Sequence, residues 1–218
     1  MSTDYDQIAA EYRRAKQQPW RMHVEHFTMF ALLGDLRGKS VLDLACGEGF
    51  FTRFIRQSGA ARVVGVDISE GMIRLAREEE ARRPLGIEYR VHDARDFDPS
   101  PERFDLVTAG YLLNYAASPD ELLAMCRTIS RSLKPGGRFV SVNNNPAQPR
   151  EHFAASEKYG FVKLTGGDLV EGVPVVYRIF LEDGPLDIVN YHLSIETHEW
   201  AFREAGLQDV RWHPPRLS

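Results

Sequence analysis

The stretch VLDLACGEGFFTRF (41–54) begins apolar, passes through Gly47 and Gly49, and closes on an apolar run set with arginines. That order predicts a buried strand, a tight glycine turn and a helix whose N-terminus faces the turn, which is how nucleotide sites begin. Its oddity is Glu48, an acid between the two glycines, where a phosphate ordinarily sits.

Outward from this stretch, strands and helices alternate. SVLDLA (40–45) is a first strand, with a helix following to about residue 58. RVVGVD (62–67), IEYRVHD (87–93), FDLVTAG (104–110) and RFVSVNN (138–144) are four more strands. Ser69 caps a helix with Met72, Ile73, Leu75 and Ala76 on its apolar face. Ser118, Pro119 and Glu121 form a capping box opening the helix 118–133. Alternation of this kind predicts an α/β fold with a doubly wound, mostly parallel sheet, its site at the carboxyl ends of the strands.

At the front, Ile8, Tyr12 and Ala15 at helical spacing predict a helix, broken by Pro19, with a second helix over 20–33. At the back the alternation stops near Phe161. Residues 175–195 read as an antiparallel hairpin about a Gly184-Pro185 turn. Helix 197–206, closed by Gly206, and a sixth strand over 207–213 follow. One domain over 1–218 is expected: an N-terminal helical cap (1–34), a cofactor-binding core (35–145), an inserted hairpin cap (160–193), and a last helix and strand (194–218).

Three ligands compete for the glycine turn. A dinucleotide fingerprint needs glycine or alanine at position 52, where Thr52 stands, and Glu48 would lie close to its pyrophosphate. A P-loop is excluded, because no Gly-Lys-Ser/Thr follows. An adenosine-bearing ligand without phosphate remains. Asp43 lies in the first strand, Asp67 ends the second and Asp93 the third. An acid in the position of Asp67 accepts from ribose hydroxyls in the related dinucleotide fold, and Asp93 is placed to accept from an adenine amino group.

VLDLACGEG, VVGVDISEGMIRLA, YRVHDARDF, FDLVTAGYLLNY and LKPGGRFV, in that order and spacing, resemble the class I S-adenosylmethionine-dependent methyltransferases over about residues 5–144. The family pattern D-x-G-x-G-x-G falls on Asp43, Ala45, Gly47 and Gly49, with alanine replacing the first glycine. With YDQIAAEYRRAKQQPWR, VEHFTMF and VNYHLSIETHEWAF, the whole chain is similar to methyltransferases of bacterial secondary metabolism, most of all the N-methyltransferases of toxoflavin (azapteridine) biosynthesis. The resemblance implies S-adenosylmethionine as cofactor and S-adenosylhomocysteine as product. It sets the backbone of 47–49, with Cys46 beside it, against the methionine part and ribose. It puts Asp67 on the ribose, Ile68 and Met72 on the adenine faces, and Asp93 with the Ala94 backbone on the adenine edge. Ala109 lies by the methionine, and Tyr12 and Arg21 fix its carboxylate. Glu48 faces water. The family's sheet carries a seventh, antiparallel strand, but this sequence closes on RWHPPRLS (211–218). The sheet edge is then open, compensated by the hairpin, or completed beyond this sequence.

Methyl transfer needs alignment more than acid–base chemistry, because the methyl arrives activated. A base is required only when the acceptor must lose a proton, and His192 is the candidate. Tyr5, Tyr111, Asn114, Asn143, Asn144, Tyr191 and His192 form the candidate acceptor site, with Tyr faces to stack and Asn amides to match ring N and C=O edges. These point to methylation of a nitrogen or oxygen of a small heteroaromatic metabolite. A carboxylic acid, lipid headgroup or protein acceptor, and a silent cofactor-binding subunit, are the alternatives.

A net charge of −4 argues against nucleic-acid partners. The apolar runs are too short to cross a membrane, the N-terminus shows no signal peptide, and Cys46 and Cys126 suggest neither a disulfide framework nor a metal site. A cytoplasmic monomer or homodimer without metal is expected.

Overall fold

The computed structural model describes residues 21–218, with side chains from His23 onward. Tyr5 and Tyr12 lie outside the described residues, as does the side chain of Arg21.

Five strands form a sheet in the order β3-β2-β1-β4-β5, with every pair parallel. They are β1 (Ser40–Leu44), β2 (Arg62–Asp67), β3 (Glu88–Val91), β4 (Phe104–Gly110) and β5 (Leu133–Val142). β1 sits at the centre because four of its five residues are buried, as a strand covered on both faces requires. Leu42 and Leu44 face one layer with α4 (Pro119–Ser132) and α5 (Ile195–Glu204). Val41 faces the other, with α1 (Phe27–Leu33), α2 (Phe50–Gln57) and α3 (Glu70–Arg82). Complete burial of a leucine such as Leu42 contributes roughly 1.5–3 kcal/mol.

The caps read in the sequence are present. Ser69 Oγ accepts from Met72 N–H at 3.1 Å, and Ser118 Oγ from Glu121 N–H at 3.3 Å. The Glu121 carboxylate reaches past the cap to accept from Ala117 N–H at 2.8 Å. A π-helical turn (Arg21–His26) runs into α1.

Three expectations are corrected. The hairpin turn is Glu182-Asp183, because Gly184 already pairs with Leu181 and Pro185 with Phe180. Pro185 is tolerated there because its strand (Gly184–Tyr191) lies at a sheet edge. The hairpin also gains a third member: β6 (Phe161–Leu164), β7 (Pro174–Leu181) and β8 (Gly184–Tyr191) make a separate antiparallel sheet in the order β6-β7-β8. Finally, residues 207–213 form no strand. Asp209 takes a left-handed conformation, φ 54°, which breaks an extended run, and Val210 and Trp212 are exposed. Among the described residues the parallel sheet ends at β5, whose side chains are largely uncovered, as an edge allows.

Candidate active site

The turn after β1 is built from left-handed backbone. Ala45, Gly47 and Gly49 have φ of 55°, 57° and 81°. A Cβ on Gly49 would stand 2.4 Å from the Tyr89 hydroxyl, so glycine is demanded by space as well as by φ. Ala45 holds the same region at a steric cost.

Asp67 ties this turn to the end of β2. One carboxylate oxygen accepts from Gly47 N–H at 2.7 Å and the other from Ser69 N–H at 3.0 Å. Asp43 is buried and accepts from Thr52 Oγ1 at 2.6 Å, which locks the start of α2 against β1. Thr52 therefore stands where a dinucleotide fingerprint has a small residue and is itself fully buried. Cys46 is buried and its backbone N–H donates to Val66 O at 3.0 Å.

Glu48 does not face water. It is 3% exposed and pairs with Arg53 Nη2 at 2.8 Å, while Arg53 Nη1 donates to the Glu48 carbonyl. The turn and the first helical turn of α2 are stapled by this pair, a contact that linear spacing does not reveal. The pair also engages the Arg53 guanidinium, which is then not free to meet a phosphate. Next to the turn, Ile68 is 59% exposed and offers an apolar platform.

Other expected cofactor residues are placed differently. Met72 is 1% exposed and packs with Ile179, Leu186 and Ile188, so the three-stranded sheet covers it. Asp93 is engaged by Arg95 through its backbone N–H and guanidinium, which together hold the carboxyl below its usual range against the opposing effect of burial, the largest single influence. The Ala94 and Ala109 side chains lie in the core with α4, which leaves only their backbones for a ligand.

A cavity of about 200 Å³ lies between the carboxyl ends of β4 and β5 and the three-stranded sheet, lined by Tyr111, Tyr115, Asn143, Asn144, Lys163 and Tyr177 among others. A smaller lobe of about 40 Å³ shares Asn143, Asn144, Lys163 and Tyr177 and adds Asn114, Tyr191, His192 and His198. Of the acceptor residues expected from sequence, the structure thus gathers Tyr111, Asn114, Asn143, Asn144, Tyr191 and His192 around one space. Tyr111, itself at φ 64°, donates from its hydroxyl to the buried Glu25, which ties the π-helical turn to the end of β4. Asn144 donates to Asn190 at 2.9 Å, and Asn143 accepts from Leu113 N–H at 3.1 Å. Burial keeps the Tyr177 phenol protonated and lowers the His192 pKa, with Glu171 opposing the latter.

Among the cavity residues absent from the sequence reading, His198 and Lys163 carry ionisable groups. His198, on the inner face of α5, bonds through Nδ1 to Ser194 O at 2.8 Å, and burial lowers its pKa. Its spacing to Ala201 and Phe202, i, i+3 and i+4, was the available signal. Lys163 comes from β6, a strand the sequence pattern does not announce.

The family model described as a methyltransferase domain matches residues 41–137, from the start of β1 into β5. The chain carries a class I S-adenosylmethionine-dependent methyltransferase domain. It is similar to a ubiquinone biosynthesis O-methyltransferase of Coxiella burnetii, 34% identical over 112 residues, covering 50% of this chain and 46% of that protein. A demethylmenaquinone methyltransferase of Lactococcus lactis is 35% identical over 155 residues, covering 68% and 58%. This methyltransferase domain chain therefore spans about half the length of the curated relatives it matches. Among solved structures, an S-adenosylmethionine dependent methyltransferase from Mesorhizobium loti aligns at a TM-score of 0.57 and 25% identity, covering 81% of this chain and 77% of that one. No helix among the described residues is long and apolar enough to cross a membrane.

Proposed function

We propose that the protein methylates a ring nitrogen or an oxygen of a small, flat heteroaromatic metabolite of secondary metabolism, using S-adenosylmethionine. The observation that carries this reading is the cavity beside the strand ends, about 200 Å³ and walled by the Tyr111, Tyr115 and Tyr177 rings and by Asn amides. Its size suits one or two fused rings, and its walls offer stacking faces and both donors and acceptors. The relatives support an oxygen acceptor beside a nitrogen one, since one of them is named an O-methyltransferase.

S-adenosylmethionine supplies an activated methyl group on a positive sulfonium when bound. The glycine turn, Asp67 and exposed Ile68 fit its phosphate-free adenosyl part, with the Asp67 carboxylate held at the turn by the Gly47 and Ser69 N–H groups. The chain's own work is to align the acceptor, exclude water and, where the acceptor is protonated, take its proton. His192 lies in the inner lobe and is kept neutral by burial, the form that accepts a proton.

Turnover of S-adenosylmethionine is measured with a panel of N–H and O–H heteroaromatics. A turned-over acceptor supports the reading, and turnover only with aliphatic acids, lipids or proteins ends it. In His192→Ala, turnover of that acceptor falls about 10²-fold or more if His192 is the base, with unchanged S-adenosylhomocysteine affinity. Its activity in the wild type declines as pH falls through the lowered imidazole pKa, and normal turnover in the variant returns His192 to a structural role.

A further inference from the structure

Lys163 stands in the cavity in an unusual state. Its ammonium donates to the Gln148 side-chain oxygen and lies 4.9 Å from the Tyr177 ring centroid and 5.4 Å from that of Phe153. No carboxylate pairs with it among the described residues, although burying a cation is costly without a counter-charge. The other titratable groups lining the two lobes are the phenols of Tyr111, Tyr115, Tyr177 and Tyr191 and the imidazoles of His192 and His198. None of these is a carboxylate, so among the described residues the cavity lining supplies no acidic side chain to face Lys163. Burial lowers the Lys163 pKa to about 8, which leaves it mostly protonated at neutral pH.

A second observation lies in the inner lobe. Asn114 is 5% exposed, and neither its side-chain nitrogen nor its oxygen has a hydrogen-bond partner among the described residues. An amide buried with both ends unmatched costs free energy, unless something entering the lobe completes it. Lys163 and Asn114 thus both line the smaller lobe, presenting to it a cation and an unmatched amide. Aromatic rings flank the cation.

We propose that the methyl acceptor is an anion, a flat ring bearing an ionised acidic oxygen that pairs with Lys163 while its polar edge completes Asn114. This deepens the reading of a flat heteroaromatic acceptor and rests on it. The oxygen belongs either to a carboxylate substituent or to an ionised ring hydroxyl. Both give the same charge-assisted bond to the ammonium. With the anion seated, Lys163 holds the ring against Tyr177 and fixes which edge points to the strand ends, where the methyl is delivered.

The test uses the whole chain saturated with S-adenosylhomocysteine at pH 7.5, where Lys163 is mostly protonated, and two pairs of near-equal shape read by calorimetry. 2-Naphthoate against 2-naphthamide reads a carboxylate, and 4-nitrophenolate against 4-nitrotoluene reads an ionised hydroxyl. At least one anion binds about tenfold or more tightly than its neutral partner. That preference collapses to near unity in Lys163→Met and survives in Lys163→Arg, while S-adenosylhomocysteine affinity and the unfolding midpoint report that both variants fold. Equal affinity within both pairs, or a preference that persists in Lys163→Met, overturns the anionic acceptor and leaves the flat-ring reading standing. Failure of all four compounds to bind overturns both.

Discussion

The two sheets of this protein are built by opposite rules. In the parallel sheet, β1 and β2 are buried on both faces, and each reads as a nearly continuous apolar run. In the antiparallel sheet, β7 and β8 alternate, with Val175, Ile179, Leu186 and Ile188 buried and most neighbours partly or fully exposed. The parallel sheet is gripped by two extensive cores. The smaller sheet rests on a cluster of four buried residues, one of which, Met72, is borrowed from α3. On the proposed function this division has a use: the sheet that carries the cofactor turn is backed by two large cores, and the one that walls the cavity by a single small cluster. An element with so few buried contacts is free to open locally, as a cover over a binding site must.

That contrast is breakable. Leu42→Ala in the centre of β1 creates a cavity where neighbours cannot collapse, and a loss of about 3–5 kcal/mol of global stability is expected in denaturant unfolding. Ile188→Ala removes a similar side chain from the small cluster. It is expected to cost about 2 kcal/mol, felt locally, as faster amide exchange across β6, β7 and β8 with β1 and β4 still protected. A global midpoint that drops as far as in Leu42→Ala would show the two sheets to be one cooperative unit. The smallest effect concerns the turn joining the cofactor seat to its sheet. Ala45→Gly removes a left-handed alanine costing about 1–2 kcal/mol and adds unfolded-chain entropy worth about 0.4–1 kcal/mol, so a net gain of about 0.5–1 kcal/mol is expected. A loss of stability there would mean that the Cβ is packed usefully and the φ carries no penalty.

The rigid half was legible because its signals are local. Gly47, Gly49 and Asp67 announce themselves by residue type and spacing, and the strand boundaries follow from unbroken apolar runs. The softer half was legible only in part. Phe161–Leu164 is four residues with a lysine among them, and it becomes a strand because β7 offers a partner edge. Residues 207–213 carry apolar residues at 207, 210 and 212 yet pair with no strand among the described residues, and Asp209 with Pro214 and Pro215 ends the attempt. Strand identity is settled by pairing, which is a property of the fold and not of the segment.

The amino-acid sequence alone determined the α/β class, the parallel order of elements, the glycine turn and the acids at the strand ends, since backbone conformation and strand-end chemistry are written in neighbouring residues. Tertiary structure alone decided that Glu48 is spent on Arg53, that Met72 lies beneath the second sheet, and that Lys163 and Asn114 meet in one cavity. The last two depend on contacts between segments far apart in the chain, and the first on the burial of a pair only five residues apart, so that burial rather than spacing sets which charges are paired.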